Sequence, residues 1–373
     1  VAWCEEAGLR AKIDASGNVW ARYEGKTAGA PALMLGSHID TVRNAGRYDG
    51  NLGALAALAV VEELAAKDER LDHAIEIVAF GDEEGVRFPT TLTGSRALAG
   101  LFARSALDQQ DADGVAMRDA LRAFGCDPEA VADLTARHVA AFVELHIEQG
   151  PVLESENIAV GVVTAINGQT RFQAIVRGEA GHAGAVPMGL RRDALAAAAE
   201  MMLSIEQRAR SEGDLVATVG RLDVAPGAVN VIPAEARFTI DIRAPGDEQR
   251  RRAAEDVSKR LAAIAAARRV ELLLTQTHEA GAYTCHPAIV AALKESVERT
   301  SGRPARLLPS GAGHDTMIMG QLCPAGMLFV RCKGGISHNP AESITTEDAE
   351  MGLAALIDFT RRFRAAAPAH ATP

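Results

Sequence analysis

A chain of 373 residues, 48% of them hydrophobic and with a formal net charge of −10, can bury a large core but exceeds what one core usually organises, so two domains are expected. No run of Lys and Arg interleaves with aromatics, which argues against nucleic acid or an anionic membrane as partner; an anionic substrate would need local arginines. No apolar stretch approaches the ~20 residues of a membrane span, no signal-peptide pattern is present, and five scattered cysteines without CxxC spacing point to reduced, buried thiols in a cytoplasmic protein.

The chain opens on Val1 inside what reads as an amphipathic helix, so a native segment is expected to precede it. Arg10 to Ile13 and Val19 to Tyr23 read as short strands around the turn formers Asp14, Ser16, Gly17 and Asn18. After Pro31 the apolar run Ala32-Leu33-Met34-Leu35 marks a strand buried on both faces of a parallel sheet. Ligands in open α/β sheets collect at the carboxyl ends of strands, so His38, and Asp49 in the loop beyond it, stand where such a fold would hold a cofactor. Gly53 leads into a helix from Ala54 to Leu64, and a second apolar run, Ala74 to Phe80, ends in Gly81-Asp82-Glu83-Glu84-Gly85. A helical insert is expected around Met117 to Leu134. Ala141 to Glu148 then alternates at period two, setting His146 on a polar face with Glu144 and Glu148.

From Gly168 to Glu279 the order changes to strand, helix, two strands, helix, strand, the succession of a ferredoxin-like unit. The expected organisation is therefore an α/β catalytic domain with a mostly parallel sheet, built from residues 1–167 and 283–373, with an α+β unit inserted over residues 168–282. The chain returns with a helix around Ala288 to Thr300, the Gly-rich loop Ser310-Gly311-Ala312-Gly313-His314-Asp315, a strand Met327 to Val330, and a loop ending at His338. The Ala- and Pro-rich tail after Arg364 reads as a frayed end.

Four strand ends or adjacent loops thus carry His38 with Asp49, Glu83-Glu84, His146 and His338. Histidines and carboxylates without cysteine suit zinc, manganese, cobalt or nickel, and with Asp49 bridging, five ligands would hold two divalent ions, each with an open position. Such ions acidify water and polarise a carbonyl, while a nearby carboxylate takes the proton and returns it to the leaving nitrogen. Glu83 and Glu84 are neighbours in extended chain and point apart, so one is expected to be ligand and the other base. SGAGHD lacks the lysine of a P-loop, no GxSxG elbow is present, and none of the cysteines has a nucleophile signature, so nucleotide binding and covalent catalysis are disfavoured.

The motifs GSHIDTV, GRYDGNLG, FGDEEGVRF, TGSRALAG, ELHIEQGPVLE, GEAGHAGAVPM, NVIP, DIR, SGAGHD and GGISHNPAE span nearly the whole chain. Together they resemble the amidase, hydantoinase and carbamoylase branch of the dinuclear-metal aminoacylase and carboxypeptidase superfamily. The resemblance implies one ion held by His38, Asp49 and His146 and another by Asp49, Glu84 and His338. It makes Glu83 the general base and Asp40 the carboxylate that orients His38. His182 matches a histidine that polarises the scissile carbonyl from the partner subunit of a homodimer, so the inserted unit would be both lid and dimerisation domain. Gln149, Arg171, Asn230, Arg243, Gly313 and His314 match substrate-contacting positions, the arginines suiting a substrate carboxylate. Many bacterial allantoate enzymes have Arg at the position of Thr170; GQTR and VRCKGGISH look more like plant-type allantoate enzymes. The implied activity is hydrolysis of a C–N bond in a small anionic ureido acid, first allantoate, with an N-carbamoyl-L-amino acid as alternative. A non-catalytic binding protein on the same fold is disfavoured by the intact Glu83 and ligand set, and a peptidase by the HIEQG motif.

Overall fold

The strands, in chain order, are β1 (Arg10–Ile13), β2 (Val19–Tyr23), β3 (Ala32–His38), β4 (Ala74–Phe80), β5 (Val139–Ile147) and β6 (Val160–Ile166). Then come β7 (Gly168–Arg177), β8 (Gly181–His182), β9 (Val216–Thr218), β10 (Leu222–Ala225), β11 (Val231–Ile232), β12 (Glu235–Ala244) and β13 (Glu271–Ala280). The last are β14 (Tyr283–Thr284), β15 (Arg306–Ser310) and β16 (Ala325–Val330). This computed structural model describes residues 1–136 and 138–365, so the tail beyond residue 365 lies outside the described residues. The described chain divides into two units, one of residues 1–164 and 285–365, the other Ala165–Thr284.

In the larger unit β4, β3, β5 and β16 lie side by side and parallel, so their carboxyl ends share one edge. The β1-β2 hairpin joins antiparallel to β4, and β6 antiparallel to β16. Every residue of β3 is buried, the apolar run Ala32 to Leu35 and also Ser37 and His38 at its end. The helix Asn51–Ala66 packs over this sheet through Ala57, Val60, Val61 and Leu64. Its first turn needs Gly53, where a Cβ would come within 2.0 Å of the Leu145 carbonyl oxygen.

The polar face expected on β5 is a buried one: Glu144 is 0% and His146 1% exposed, because a central strand between β3 and β16 is covered on both sides. One expectation is corrected here. The helical insert is broken into a helix, Met117–Phe124, and a 3₁₀ turn, Pro128–Asp133. Gly125 ends the first at φ 95°, a backbone region that glycine enters without steric cost.

The smaller unit is built by the opposite rule. Its sheet has the order β10-β12-β7-β13, with β9 also on β12, and all pairs are antiparallel. β7 and β12 alternate between buried and more exposed residues. The buried face packs Phe172, Ala174, Val176, Phe238, Ile240 and Ile242 with the helices Ala194–Arg210 and Asp247–Arg268. The other face carries Arg171, Gln173, Thr239 and Asp241. A short antiparallel pair, β8 with β11, sets His182 opposite Val231.

Among the described residues no helix is long and apolar enough to cross a membrane, and the five cysteines are free.

Candidate metal centre

The edge where the four parallel strands end holds the chemistry. β3 ends at His38, β5 carries His146 one residue before its end, the turn after β4 supplies Glu83 and Glu84, and the loop after β16 supplies His338. Asp49 enters from the loop before the helix Asn51–Ala66. That loop closes tightly: Gly50 has φ +68°, and a Cβ there would lie 2.4 Å from the His38 ring.

Asp49, 2% exposed, is the centre of the cluster. Its Oδ1 lies 3.1 Å from His146 Nε2 and 3.6 Å from His38 Nε2, while its Oδ2 lies 3.2 Å from His338 Nε2. His338 Nε2 is also 3.4 Å from Glu84 Oε1. Two sets of three donors share Asp49, His38-Asp49-His146 and Asp49-Glu84-His338, each with ligand atoms within 4.8 Å of one another, and His38, Glu83 and Glu84 form a further set. Imidazole nitrogens and carboxylate oxygens without a thiolate fit borderline divalent ions. Glu144, which groups with His146 and His314, has its oxygens committed to Ser37 Oγ and to the backbone N–H and Oγ of Thr316.

The ring orientations follow from hydrogen bonds. His38 Nδ1 lies 2.9 Å from the backbone oxygen of Asp40, and His146 Nδ1 2.9 Å from that of Ile147. A carbonyl accepts only, so each Nδ1 carries a proton and each Nε2 faces Asp49. The expectation that the Asp40 carboxylate orients His38 is corrected: it stands 3.9 Å from Nδ1 and instead accepts the backbone N–H groups of Glu83 and Glu84 at 3.0 and 3.1 Å. Asp40 thereby shapes the turn that presents both glutamates, a bend rather than extended chain.

Electrostatics separate the acids. Burial raises the Asp49 carboxyl, but hydrogen bonds from His146 and His38 outweigh this and hold it far below the usual carboxylate range. Burial also works against charge on His38, yet its bond to Asp49 and the charges of Glu83 and Asp315 push its pKa well up. Glu83 is pushed well above the ordinary value, first by burial and then by Asp315, Glu84 and Glu144. Burial raises Glu84 too, opposed by His338.

The remaining expected residues divide. Gln149 reaches the cluster, donating from Nε2 to Asp49 Oδ2 at 2.8 Å. Gly313 is exposed, but His314 is 1% exposed, which corrects its expected substrate contact. Its Nε2 is 2.8 Å from Ser310 Oγ and its ring packs edge-on against His146 at 4.6 Å, so it braces a ligand candidate. Ser337 and Glu342 were not singled out from sequence, although both lie in GGISHNPAE; an acid four residues after a histidine ligand candidate was the available signal.

In the smaller unit Arg171 and Arg243 line a groove on the exposed sheet face with Asp241 between them. Asp241 accepts from Arg171 Nε at 3.1 Å and from Arg243 through both Nε and Nη2 at 3.1 Å. Thr170 faces the other way: it is buried, and its hydroxyl accepts from Arg250. Substitution at Thr170 therefore does not change the lining of this groove directly. His182 is exposed, and its Nδ1 accepts the Gly184 N–H at 3.1 Å, leaving Nε2–H as an outward donor. Asn230 is held beside it, its carbonyl accepting from Ala183 N–H at 3.0 Å.

The profile of Peptidase family M20/M25/M40 matches residues 34–362. The chain is 41% identical over 356 residues to an N-carbamoyl-L-amino acid amidohydrolase of Geobacillus stearothermophilus, covering 95% of this chain and 87% of that protein. It is 40% identical over 387 residues to allantoate deiminase 1 of Glycine max, covering 95% and 80%. Its fold is similar to that of a solved amidase of the hydantoinase/carbamoylase family from Burkholderia multivorans. There the TM-score is 0.91 at 36% identity, over 96% of this chain and 88% of the other.

Proposed function

The chain belongs to the peptidase family M20/M25/M40, and from that premise we propose that it is a metal-dependent amidohydrolase cleaving a C–N bond of a small ureido acid. The observation that carries the reading is the pair of three-donor sets sharing Asp49, with a half-buried Glu83 beside them. His38, Asp49 and His146 would hold one divalent ion and Asp49, Glu84 and His338 another. When bound, such ions supply Lewis-acid polarisation of a carbonyl and lower the pKa of water.

The chain's own residues do the rest. Glu83, whose carboxyl is pushed up by burial, takes a proton from water and returns it to the leaving nitrogen. Glu84, turned towards His338, is kept as a ligand. His182 donates from Nε2–H to the scissile carbonyl in the site of a second copy of the chain, making the protein a homodimer. Arg243 and Arg171, aligned by Asp241, meet the substrate carboxylate.

Allantoate is the first reading of the substrate. An N-carbamoyl-L-amino acid is the second, favoured by the 41% identity to an enzyme of that name. The test is ammonia release and product analysis on allantoate, ureidoglycolate, N-carbamoyl-L-amino acids and dipeptides with added manganese. Metal-dependent ammonia release from one of the first three classes is the expected result. Cleavage of dipeptides alone would overturn the reading.

A further inference from the structure

We infer that Glu342 is a positioning residue that ties the loop carrying Asp49 to the loop carrying His338, and that the ion held by Asp49, Glu84 and His338 depends on it. This rests on the metal reading of the pocket. Glu342 is 5% exposed, and its Oε1 accepts two backbone N–H groups, of Tyr48 at 2.8 Å and Asp49 at 3.1 Å. Its Oε2 lies 3.1 Å from Ser337 Oγ, and that hydroxyl lies 2.6 Å from Asp49 Oδ2. One carboxylate therefore fixes the main chain of Asp49 directly through Oε1, while its Oε2 and Asp49 Oδ2 are alternative acceptors for the single Ser337 proton. The two backbone bonds on Oε1 set Glu342 apart from the ligand candidates.

The loop it reaches needs such an anchor. His338 has φ +55°, in the left-handed region that non-glycine residues enter at a cost, and its side chain is 50% exposed, against 3% for His38 and 1% for His146. Burial and backbone hydrogen bonds hold the other two histidines; this one lacks the burial and relies on its loop being anchored. The turn Asn339 to Glu342, closed by Glu342 N–H to the Asn339 carbonyl at 3.0 Å, brings the carboxylate back beneath His338's neighbour Ser337. Space for it is made at Gly46, where a Cβ would come within 2.3 Å of the Glu342 Cβ.

The test strips wild type, Glu342→Ala, Glu342→Gln and Ser337→Ala with chelator. Each is then titrated with Mn²⁺ while bound ions per chain and Tm are measured. Wild type takes up two ions. Glu342→Ala keeps one within about threefold and binds the other about tenfold or more weakly, the size usual for residues that orient ligands. Glu342→Gln, whose Oε1 retains both backbone bonds, recovers most of the loss, and Ser337→Ala weakens the same single ion. Unchanged two-ion binding in Glu342→Ala overturns the inference. Equal weakening of both ions in step with a fall in Tm overturns it too, because a merely structural role would act on both. Should Glu342→Ala fail to fold, Ser337→Ala decides by the same criterion. A wild type that binds no Mn²⁺ overturns the metal reading itself, before any variant is compared.

Discussion

The strand-end cluster of the larger unit and the open sheet face of the smaller one both gather charged side chains, yet they hold them differently. Asp49, His38 and His146 are almost wholly buried at the carboxyl edge of a parallel sheet, and each is fixed by backbone or side-chain partners. Arg171 and His182 are exposed on antiparallel strands and Asn230 in the turn before β11, and Arg171 and Arg243 are aligned chiefly by one carboxylate, Asp241. In a buried site removing one charge leaves its partners unpaired and desolvated, whereas at an exposed site water takes its place. The first region is built to hold ions in a fixed arrangement. The second is built to meet a solute.

That contrast can be broken most severely at Asp49. Asp49→Ala removes an oxygen from both donor sets, so metal analysis should show both sites emptied and turnover reduced roughly 10³-fold or more, several kcal/mol of charge stabilisation. Retention of two ions per chain would remove Asp49 from the bridging role. Arg243→Ala should raise KM by about 10- to 100-fold for a carboxylate substrate, the worth of a charge-assisted pair, and change it little for a neutral amide analogue. Equal effects on both would make Arg243 structural. Mixing His38→Ala with His182→Ala chains should restore about a quarter of wild-type activity after random subunit exchange, since half the dimers would each carry one complete site. Heterodimers without recovered activity would assign His182 to its own chain. The smallest effect is expected from Arg171→Ala on stability, within about 0.5 kcal/mol by denaturant unfolding, because its pair with Asp241 is exposed.

Much of the larger unit was legible because its signals are local. Apolar runs gave β3 and β4, the second interrupted only by Glu76, and the residues following them fell at the carboxyl edge. The longer strands and the two helices of the smaller unit were legible in outline, whereas the short strands β8, β10 and β11 were not. What sequence could not give is the set of contacts that depend on which loops meet. The period-two pattern of β5 is the same for a wet face and for a central strand, and only its neighbours decide. Asp40 was expected on His38, but two backbone N–H groups from a turn 43 and 44 residues away claim its carboxylate. Glu342 reaches Tyr48 and Asp49 across 294 and 293 residues. His314 belongs to a Gly-rich loop whose sequence carries no sign of burial, and it packs against His146 and Phe329.

The central claim is a division of labour between adjacent glutamates in the buried region, Glu83 moving the proton and Glu84 holding an ion. Metal content and turnover measured side by side for Glu83→Gln and Glu84→Gln test it most directly. Glu83→Gln should keep two ions and lose about 10²- to 10⁴-fold in kcat, while Glu84→Gln should lose the ion it shares with Asp49 and His338. Loss of metal in Glu83→Gln with full metal in Glu84→Gln would reverse the assignment and contradict the account.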